Sequence, residues 1–332
     1  MSGPVRIGVL GCSGVAWRRT IPAIQSNPRT TVTAVASRDP EKAKRFATQF
    51  NCDATSYDEL LTRDDVDAVY LPLPASLHLP WGLKVLAAGK HLLLEKPAAT
   101  TADDARRLVA EAEARGLVLR ENFTFLHHSQ HQKVRELMAS GRVGTVRSFS
   151  AAFCFPPLPA GDIRYSADLG GGALLDAGVY PLRAAQLLIG DDLRVAGSTL
   201  RVDPARDGSV DVAGQALLVS GAGVLVDIHF GFEHGYGSRY ALWGSTGRLI
   251  LDRAFTPAAS WAPVLRVEEQ DHVEEYTLPA DHQFEGSVGS FAEAILAGRD
   301  ARHPDEAERC AQTVRTLELA DAIRGQAVRV RV

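Results

Sequence analysis

Residues 5–38, VRIGVLGCSGVAWRRTIPAIQSNPRTTVTAVASR, decide the fold. Val5–Leu10 is a short apolar run with β-branched residues, the composition of a strand. Gly11-Cys12-Ser13-Gly14-Val15-Ala16 follows at once, and residues 17–26 then read as a helix. A second apolar strand, 31–36, ends in Ser37-Arg38. Strand, glycine turn, helix and strand open a dinucleotide-binding unit. The glycines let the backbone approach a pyrophosphate, and the helix N-terminus offers it unpaired N–H groups. Ser13 stands where the middle glycine of G-x-G-x-x-G/A is expected, so the motif is imperfect.

The end of the second strand points to the cofactor. An NAD site places a carboxylate there to hold the ribose 2′-hydroxyl. This chain has Ser37-Arg38 instead. A hydroxyl and a guanidinium suit a 2′-phosphate, which a carboxylate would repel. NADP(H) is therefore the expected cofactor. Asp39 follows, and in Asp39-Pro40 it reads as the cap of the next helix.

The 332 residues are 45% hydrophobic and 23% charged, ordinary for a globular chain long enough for two domains. A net charge of −4 implies no nucleic-acid binding. Cys12, Cys52, Cys154 and Cys310 form no C-x-x-C and no Cys/His set, and the paired His127-His128 has no carboxylate or Cys at ligand spacing. No metal is expected, and a reducing cytoplasmic setting is. Met1 leads within four residues into the first strand, leaving no room for a signal peptide, and no apolar run reaches the roughly 18 residues of a membrane helix.

Strand and helix alternate through residue 122. Pro40–Phe50 reads as a helix with Ala43, Phe46, Ala47 and Phe50 at helical spacing. Residues 57–61 form a short helix that places Tyr57 against the cofactor. Ala68–Leu71 is a strand followed by Pro72-Leu73-Pro74, at the sheet edge where α/β proteins bind ligands, so Leu71 and Leu73 are candidate cofactor contacts. His78 opens the next helix and is a candidate facing the cofactor, against the plainer role of a cap or packing residue. His91–Leu94 is a strand ending in Glu95-Lys96-Pro97, residues 101–116 an amphipathic helix, and 118–119 the start of a fifth strand leading to Arg120-Glu121-Asn122. Five such units imply a doubly wound parallel sheet over residues 1–122.

Residues 123–332 change pattern. Helices are expected at 130–139 and 173–189, with strands at 146–155, Arg194–Val202, 210–219, 223–232, 239–251, 264–269 and 273–278. Successive strands with short turns imply an antiparallel or mixed sheet. Gln283–Leu296 and 305–323 close the chain as helices, the second packing back on the first domain, and 327–332 reads as a terminal strand. The fold class is α/β: a Rossmann domain, then an α+β domain with a large open sheet.

Three landmarks occur in order: the G-C-S-G-V-A turn, Glu95-Lys96-Pro97, and residues 170–180, GGGALLDAGVY. Together they resemble the Gfo/Idh/MocA oxidoreductase family over nearly the whole chain. The resemblance implies an open sheet whose face makes a homodimer or homotetramer, and a site in which the lysine of E-K-P and the last residue of the third motif sit over the nicotinamide. Trp17-Arg18-Arg19, residues 125–128, 156–159 and 162–165, and Val179-Tyr180-Pro181-Leu182-Arg183 are similar to the sugar 3-ketoreductases of nucleotide-deoxysugar pathways. These reduce the C3 ketone of a dTDP-linked keto-deoxysugar with NADPH.

Two departures from the wider family fit that reading. Tyr180 replaces the more usual His, and Arg183 replaces an Asp. A phenol, with an ordinary pKa near 10, is protonated at pH 7 and suits ketone reduction. Arg183 suits a pyrophosphate-bearing substrate. Lys96, Tyr180 and Asp176 are the expected catalytic residues, with Lys96 or Tyr180 as proton donor and Asp176 binding a sugar hydroxyl or holding Lys96. Gly11 to Arg18, Ser37, Arg38, Tyr57, Leu71, Leu73, His78, Glu95, Lys96, Asn122 and Arg164 are the expected cofactor contacts. Arg19, Lys96, Tyr165, Tyr180, Arg183, Tyr236 and Thr256 are the expected substrate contacts. A free-sugar or cyclic-diol dehydrogenase, and a non-catalytic NADP-sensing regulator, are the alternatives.

Overall fold

The structure, a computed structural model, describes residues 3–204 and 210–331. The chain divides into two compact units: residues up to Thr124 together with Gln283–Val314, and Phe125–His282 together with the chain from Arg315 onward. The division is discontinuous, with Gln283–Val314 returning to the first unit.

The first unit is built on a six-stranded sheet. Its strands are β1 (Val5–Leu10), β2 (Thr30–Ala36), β3 (Asp53–Thr55), β4 (Ala68–Leu71), β5 (His91–Leu94) and β6 (Leu119–Glu121), in the order β3-β2-β1-β4-β5-β6. Every pairing is parallel. The order reverses between β1 and β4, so a crevice for a ligand opens at their carboxyl ends. β1, β4 and β5 are almost wholly apolar and buried, as strands covered on both faces must be. The covering helices are α1 (Ile21–Ser26, entered through a wide turn at Ala16–Thr20), α2 (Pro40–Phe50), α3 (Tyr57–Thr62), α4 (His78–Ala87) and α5 (Ala102–Arg115). β3 was not expected, because three residues are too short to show a period. Gln283–Leu296 also belongs here, with Val288, Phe291 and Ile295 packed into the core of β1 and β2.

The second unit holds α6 (Ser129–Ala139), α7 (Val179–Ile189) and a nine-stranded sheet. Its strands are β7 (Val146–Cys154), β8 (Arg194–Val202), β9 (Asp211–Val219), β10 (Leu225–Gly231), β11 (Gly237–Gly244), β12 (Arg248–Asp252), β13 (Val264–Glu268), β14 (Val273–Thr277) and β15 (Val328–Arg331), in the order β14-β13-β12-β11-β7-β10-β9-β8-β15. β7–β10 and β8–β15 are parallel and the rest antiparallel, a mixed sheet as expected. One expectation fails: residues 239–251 are two strands, because Gly244-Ser245-Thr246-Gly247 closes a hairpin, with Gly244 N donating to Gly247 O at 2.8 Å. The last residue of the expected terminal strand, Val332, lies outside the described residues.

Alternation gives this sheet one apolar face. Phe149, Ala151 and Phe153 of β7 sit beside Val226, Ile228 and Phe230 of β10, all buried. Gly178, just before α7, lies on Phe230 so closely that a Cβ would come within 3.0 Å of its ring. The opposite face is open, with Leu217, Leu225 and Trp243 57–63% exposed. α8 (Gln283–Leu296) and α9 (Pro304–Gln326) complete the helices.

Candidate active site

In the first unit the nucleotide end forms where β1 and β2 stop. Gly11 turns at φ 125°, and a Cβ there would lie 2.7 Å from Leu73 Cδ2, so only glycine lets Leu73 lie on the turn. Ser13 Oγ accepts from Ala16 N at 3.2 Å and Ser13 O from Trp17 N at 3.1 Å. The serine in place of the middle glycine thus spends its hydroxyl on the helix entry. Gly14 is exposed, and the Arg18 guanidinium lies 3.0 Å from where its Cβ would stand. A bare backbone with a cation over it fits a pyrophosphate. Arg19 is exposed beside it.

Arg38, also exposed, meets the phenol of Tyr57, whose pKa is raised by burial while Arg38 opposes the shift. Ser37 hydrogen-bonds the Cys12 thiol, and burial pushes that thiol up to about 11. Asp39 caps α2 as expected: its Oδ1 accepts from Glu41 N at 3.0 Å and Lys42 N at 3.2 Å. That role holds the carboxylate at the start of the helix, next to Arg38 in the chain. Lys42 and Arg45 also act on Cys12. The sequence reading missed these two cations, although both follow Arg38 within two helical turns. Together the bare glycine cradle and the cluster of cations fit an NADP-type dinucleotide.

At the other end of the crevice, the E-K-P segment follows β5. Glu95 Oε1 accepts from Tyr70 Oη at 2.7 Å and Asn122 Nδ2 at 2.8 Å. Ser287 Oγ donates to Asn122 Oδ1 at 2.7 Å, and Thr20 Oγ1 lies 2.9 Å from Tyr70 Oη. Beyond the lysine, Glu121 Oε1 accepts from Ala98 N at 2.8 Å. Glu95 and Asn122, expected as cofactor contacts, direct these side-chain bonds at each other, and Leu71 is fully buried in β4. His78 is 1% exposed, with its ring between the carbonyls of Pro97 and Leu73. Lys96 itself is half-buried between these anchors, and the Lys96–Pro97 peptide is cis.

In the second unit the glycine run positions Asp176 and Tyr180. Gly171 N donates to Ser166 O and Gly172 N to Arg164 O, both at 2.9 Å. A Cβ on Gly171 would lie 2.4 Å from Arg164 O, so nothing larger than glycine fits. The loop so held delivers Arg164 to Asp176, Nε to Oδ2 at 2.7 Å, and Arg164 Nη1 also reaches Asp162 Oδ1 at 3.1 Å. The two carboxylates raise the pKa of Arg164. Tyr180, on the first turn of α7, rests among the rings of Phe153 (4.9 Å between centroids), Phe255 (5.7 Å) and Phe125 (5.8 Å).

Arg183, one turn further, is 5% exposed. Tyr165 is buried against Phe232 and its Oη accepts from Leu158 N at 3.1 Å, so it holds the Pro-rich loop. Tyr236 Oη lies 2.9 Å from Thr256 Oγ1, and Arg253 stacks on the Tyr236 ring. Thr256 follows Phe255, which packs on Tyr180. Tyr236 also rims a hollow of about 790 Å³ on the open sheet face, lined by His229, Arg239, Arg248 and Arg266 among others. The hollow opens on the face across the sheet from the aromatic bed of Tyr180, with Tyr236 at its rim joined to Thr256. Among the described residues no group of three or more His, Cys, Asp or Glu could hold a metal.

Comparison with known proteins agrees with this geometry. Residues 5–123 match the oxidoreductase family GFO_IDH_MocA, NAD-binding Rossmann fold, and residues 131–250 match the GFO/IDH/MocA C-terminal domain. A dTDP-3,4-didehydro-2,6-dideoxy-alpha-D-glucose 3-reductase from Actinomadura kijaniata is 50% identical over 97% of this chain and 96% of its own length. One with the same name from Saccharopolyspora spinosa is 49% identical over 99% of both. The crystal structure of KijD10, a 3-ketoreductase from Actinomadura kijaniata in complex with NADP and TDP-benzene, matches with a TM-score of 0.95 at 49% identity, covering 99% of this chain and 100% of that one. The chain belongs to the Gfo/Idh/MocA oxidoreductase family.

Proposed function

We propose that the protein is an NADPH-dependent reductase of the C3 ketone of a dTDP-linked keto-deoxysugar. The observation that carries this reading is the match, at about half identity and nearly full length, to reductases of that substrate. A D-xylose 1-dehydrogenase (NADP(+)) from Haloferax volcanii is 31% identical, so the free-sugar alternative is the more distant one. The intact E-K-P lysine and the bedded Tyr180 speak for turnover over a sensing role.

When bound, NADPH supplies the hydride that adds to C3. Arg38, with Ser37, holds the 2′-phosphate, and the backbone at Ser13–Ala16 with Arg18 holds the pyrophosphate. The C3 oxygen gains an electron pair as the hydride adds, and its negative charge needs a proton. Lys96 or Tyr180 delivers that proton, and the other stabilises the charge as it develops. Asp176, fixed by Arg164, is set to accept a hydrogen bond from a sugar hydroxyl. Arg183 provides positive charge for the substrate diphosphate, and Tyr165, Tyr236 and Thr256 border the sugar nucleotide.

The open sheet face, with Leu217, Leu225 and Trp243 exposed, supports a homodimer or homotetramer formed through it. No helix among the described residues is long and apolar enough to cross a membrane; the four free cysteines fit a reducing, cytoplasmic setting.

The test is NADPH consumption with the dTDP-3,4-diketo-2,6-dideoxyhexose generated in place. Turnover with NADPH, and little with NADH or with unphosphorylated sugars, is expected. Equal turnover of free sugars, with affinity for dTDP unaffected in Arg183→Ala, would favour the dehydrogenase. No NADPH oxidation with any keto-sugar would leave the sensor.

A further inference from the structure

His78 differs from the other deeply buried histidine, His131. The ring of His131 has a hydroxyl on one side and a carbonyl on the other: Nδ1 is 2.8 Å from Tyr240 Oη and Nε2 is 3.0 Å from Ala254 O. A neutral imidazole satisfies both, accepting at one nitrogen and donating at the other. His78 faces two carbonyls: Nδ1 is 2.8 Å from Pro97 O, and Nε2 is 2.8 Å from Leu73 O. Neither can donate, so a neutral ring, with its single N–H, satisfies only one of them.

The two carbonyls belong to the two loops that shape the crevice. Pro97 O is the carbonyl one residue beyond Lys96. Leu73 lies in the turn after β4 and packs on Gly11 of the glycine turn. His78 therefore stands between the lysine segment and the turn that meets the cofactor cradle. The other anchors of the segment act on its two ends. Glu95, fixed by Tyr70 and Asn122, precedes the lysine, and Glu121 holds the Ala98 amide after it. Only His78 holds the Pro97 carbonyl among the hydrogen bonds described for this segment. Of its two contacts, the one to Pro97 O is fully buried and the one to Leu73 O partly so. Water can serve the Leu73 carbonyl, and it cannot reach that of Pro97.

We propose that His78 is a positioning residue for Lys96, its Nδ1–H donating to Pro97 O and so fixing the backbone from which the lysine reaches the carbonyl oxygen. The proposal rests on Lys96 acting in the reduction. It gives His78 a role in the chemical step, where the sequence alone suggested a contact to the cofactor.

Three variants separate the two nitrogens. The amide of Asn overlaps Nδ1, that of Gln overlaps Nε2, and Ala removes both. The first readout needs no turnover: hydrogen exchange at the Ala98 amide, with Val9 in β1 as the control for global stability. His78→Ala and His78→Gln are expected to speed exchange at Ala98 selectively, and His78→Asn to restore protection. The second readout is steady-state kinetics with the dTDP keto-sugar. His78→Ala is expected to lower kcat about 10- to 100-fold, as ångström-scale misplacement does, while KM for NADPH stays within about threefold. His78→Asn is expected to recover most of kcat and His78→Gln little.

Unchanged kcat and unchanged Ala98 exchange in His78→Ala would overturn the proposal. So would equal behaviour of the Asn and Gln variants, a comparison that survives if the Ala variant does not fold. A loss confined to KM for NADPH would make His78 a wall of the cofactor site. Lys96→Met with normal kcat would instead remove the premise, and the exchange data would then report the tie by itself.

Discussion

Arg164 and Asp176 form an ion pair across the triple-glycine turn, Nε to Oδ2 at 2.7 Å, with Asp162 on the other side of the guanidinium. The glycine packing and this pairing both fix the backbone one turn ahead of Tyr180. Arg164 is therefore first a holder of Asp176, and any ligand it touches must share it with two carboxylates.

Replacing Arg164 with Ala should free Asp176 to change rotamer. Because the pair is partly exposed, the cost in stability should be at most about 1 kcal/mol. The larger effect should be on kcat/KM for the sugar nucleotide, with a fall of about tenfold from misplacement of Asp176. Urea titration and steady-state kinetics on the same preparation separate the two. A stability loss without a kinetic one would confine the pair to structure.

Arg38→Ala should raise Kd for NADPH by roughly 10- to 100-fold, the loss of a charge-assisted hydrogen bond of about 1.5–3 kcal/mol. Affinity for NADH should change little, since no 2′-phosphate is lost. Fluorescence titration with both cofactors gives the ratio.

Lys96→Met and Tyr180→Phe should each lower kcat by roughly 10²- to 10⁴-fold. The double variant should fall well short of the product of the two losses if, as proposed, both groups act on the same oxygen. Near-normal kcat in both single variants and in the double would remove the pair from the chemistry.

Acid should weaken the second unit through His131. Burial depresses its pKa to about 3, against roughly 6.5 for an unfolded histidine. Between these values the unfolded chain binds the extra proton and the folded one does not. The stability contributed by the neutral ring is thus complete above about pH 6.5 and is lost as pH falls toward 3, by no more than about 1.4 kcal/mol per pH unit. Burial lowers His78, His91 and His128 as well, so their losses add in the same direction. Urea midpoints measured across that range should fall with acid, and less steeply in His131→Gln.

Glu306 on α9 is fully buried against Arg120 of β6, Arg120 Nε to Glu306 Oε2 at 2.7 Å. Glu306→Gln leaves a buried guanidinium without its counter-charge and should cost about 3–5 kcal/mol. A urea midpoint close to that of the unchanged protein would contradict this.

The nucleotide half of the site was legible because its signals are local. A strand, a glycine turn and a helix stand next to one another in Val5–Ser26, and Asp39-Pro40 announces its own cap. The supports of Lys96 were not legible, since Tyr70, Asn122 and Ser287 come from three distant segments and carry no motif. Residues 239–251 misled for a different reason. Alternation continues across a tight hairpin, so the period of a single strand and that of two joined strands look alike. The place of α8 beside β1 was hidden too, because its apolar stripe says that it packs, and nothing in it says on what.

Glu95 receives both of its donors on one oxygen, and those donors are themselves held by Thr20 and Ser287. Such redundancy makes the lysine end of the crevice resistant to drift, because losing any one partner leaves others in place. Divergence toward other sugars should therefore accumulate away from this end, in the loops around Tyr236 and Thr256.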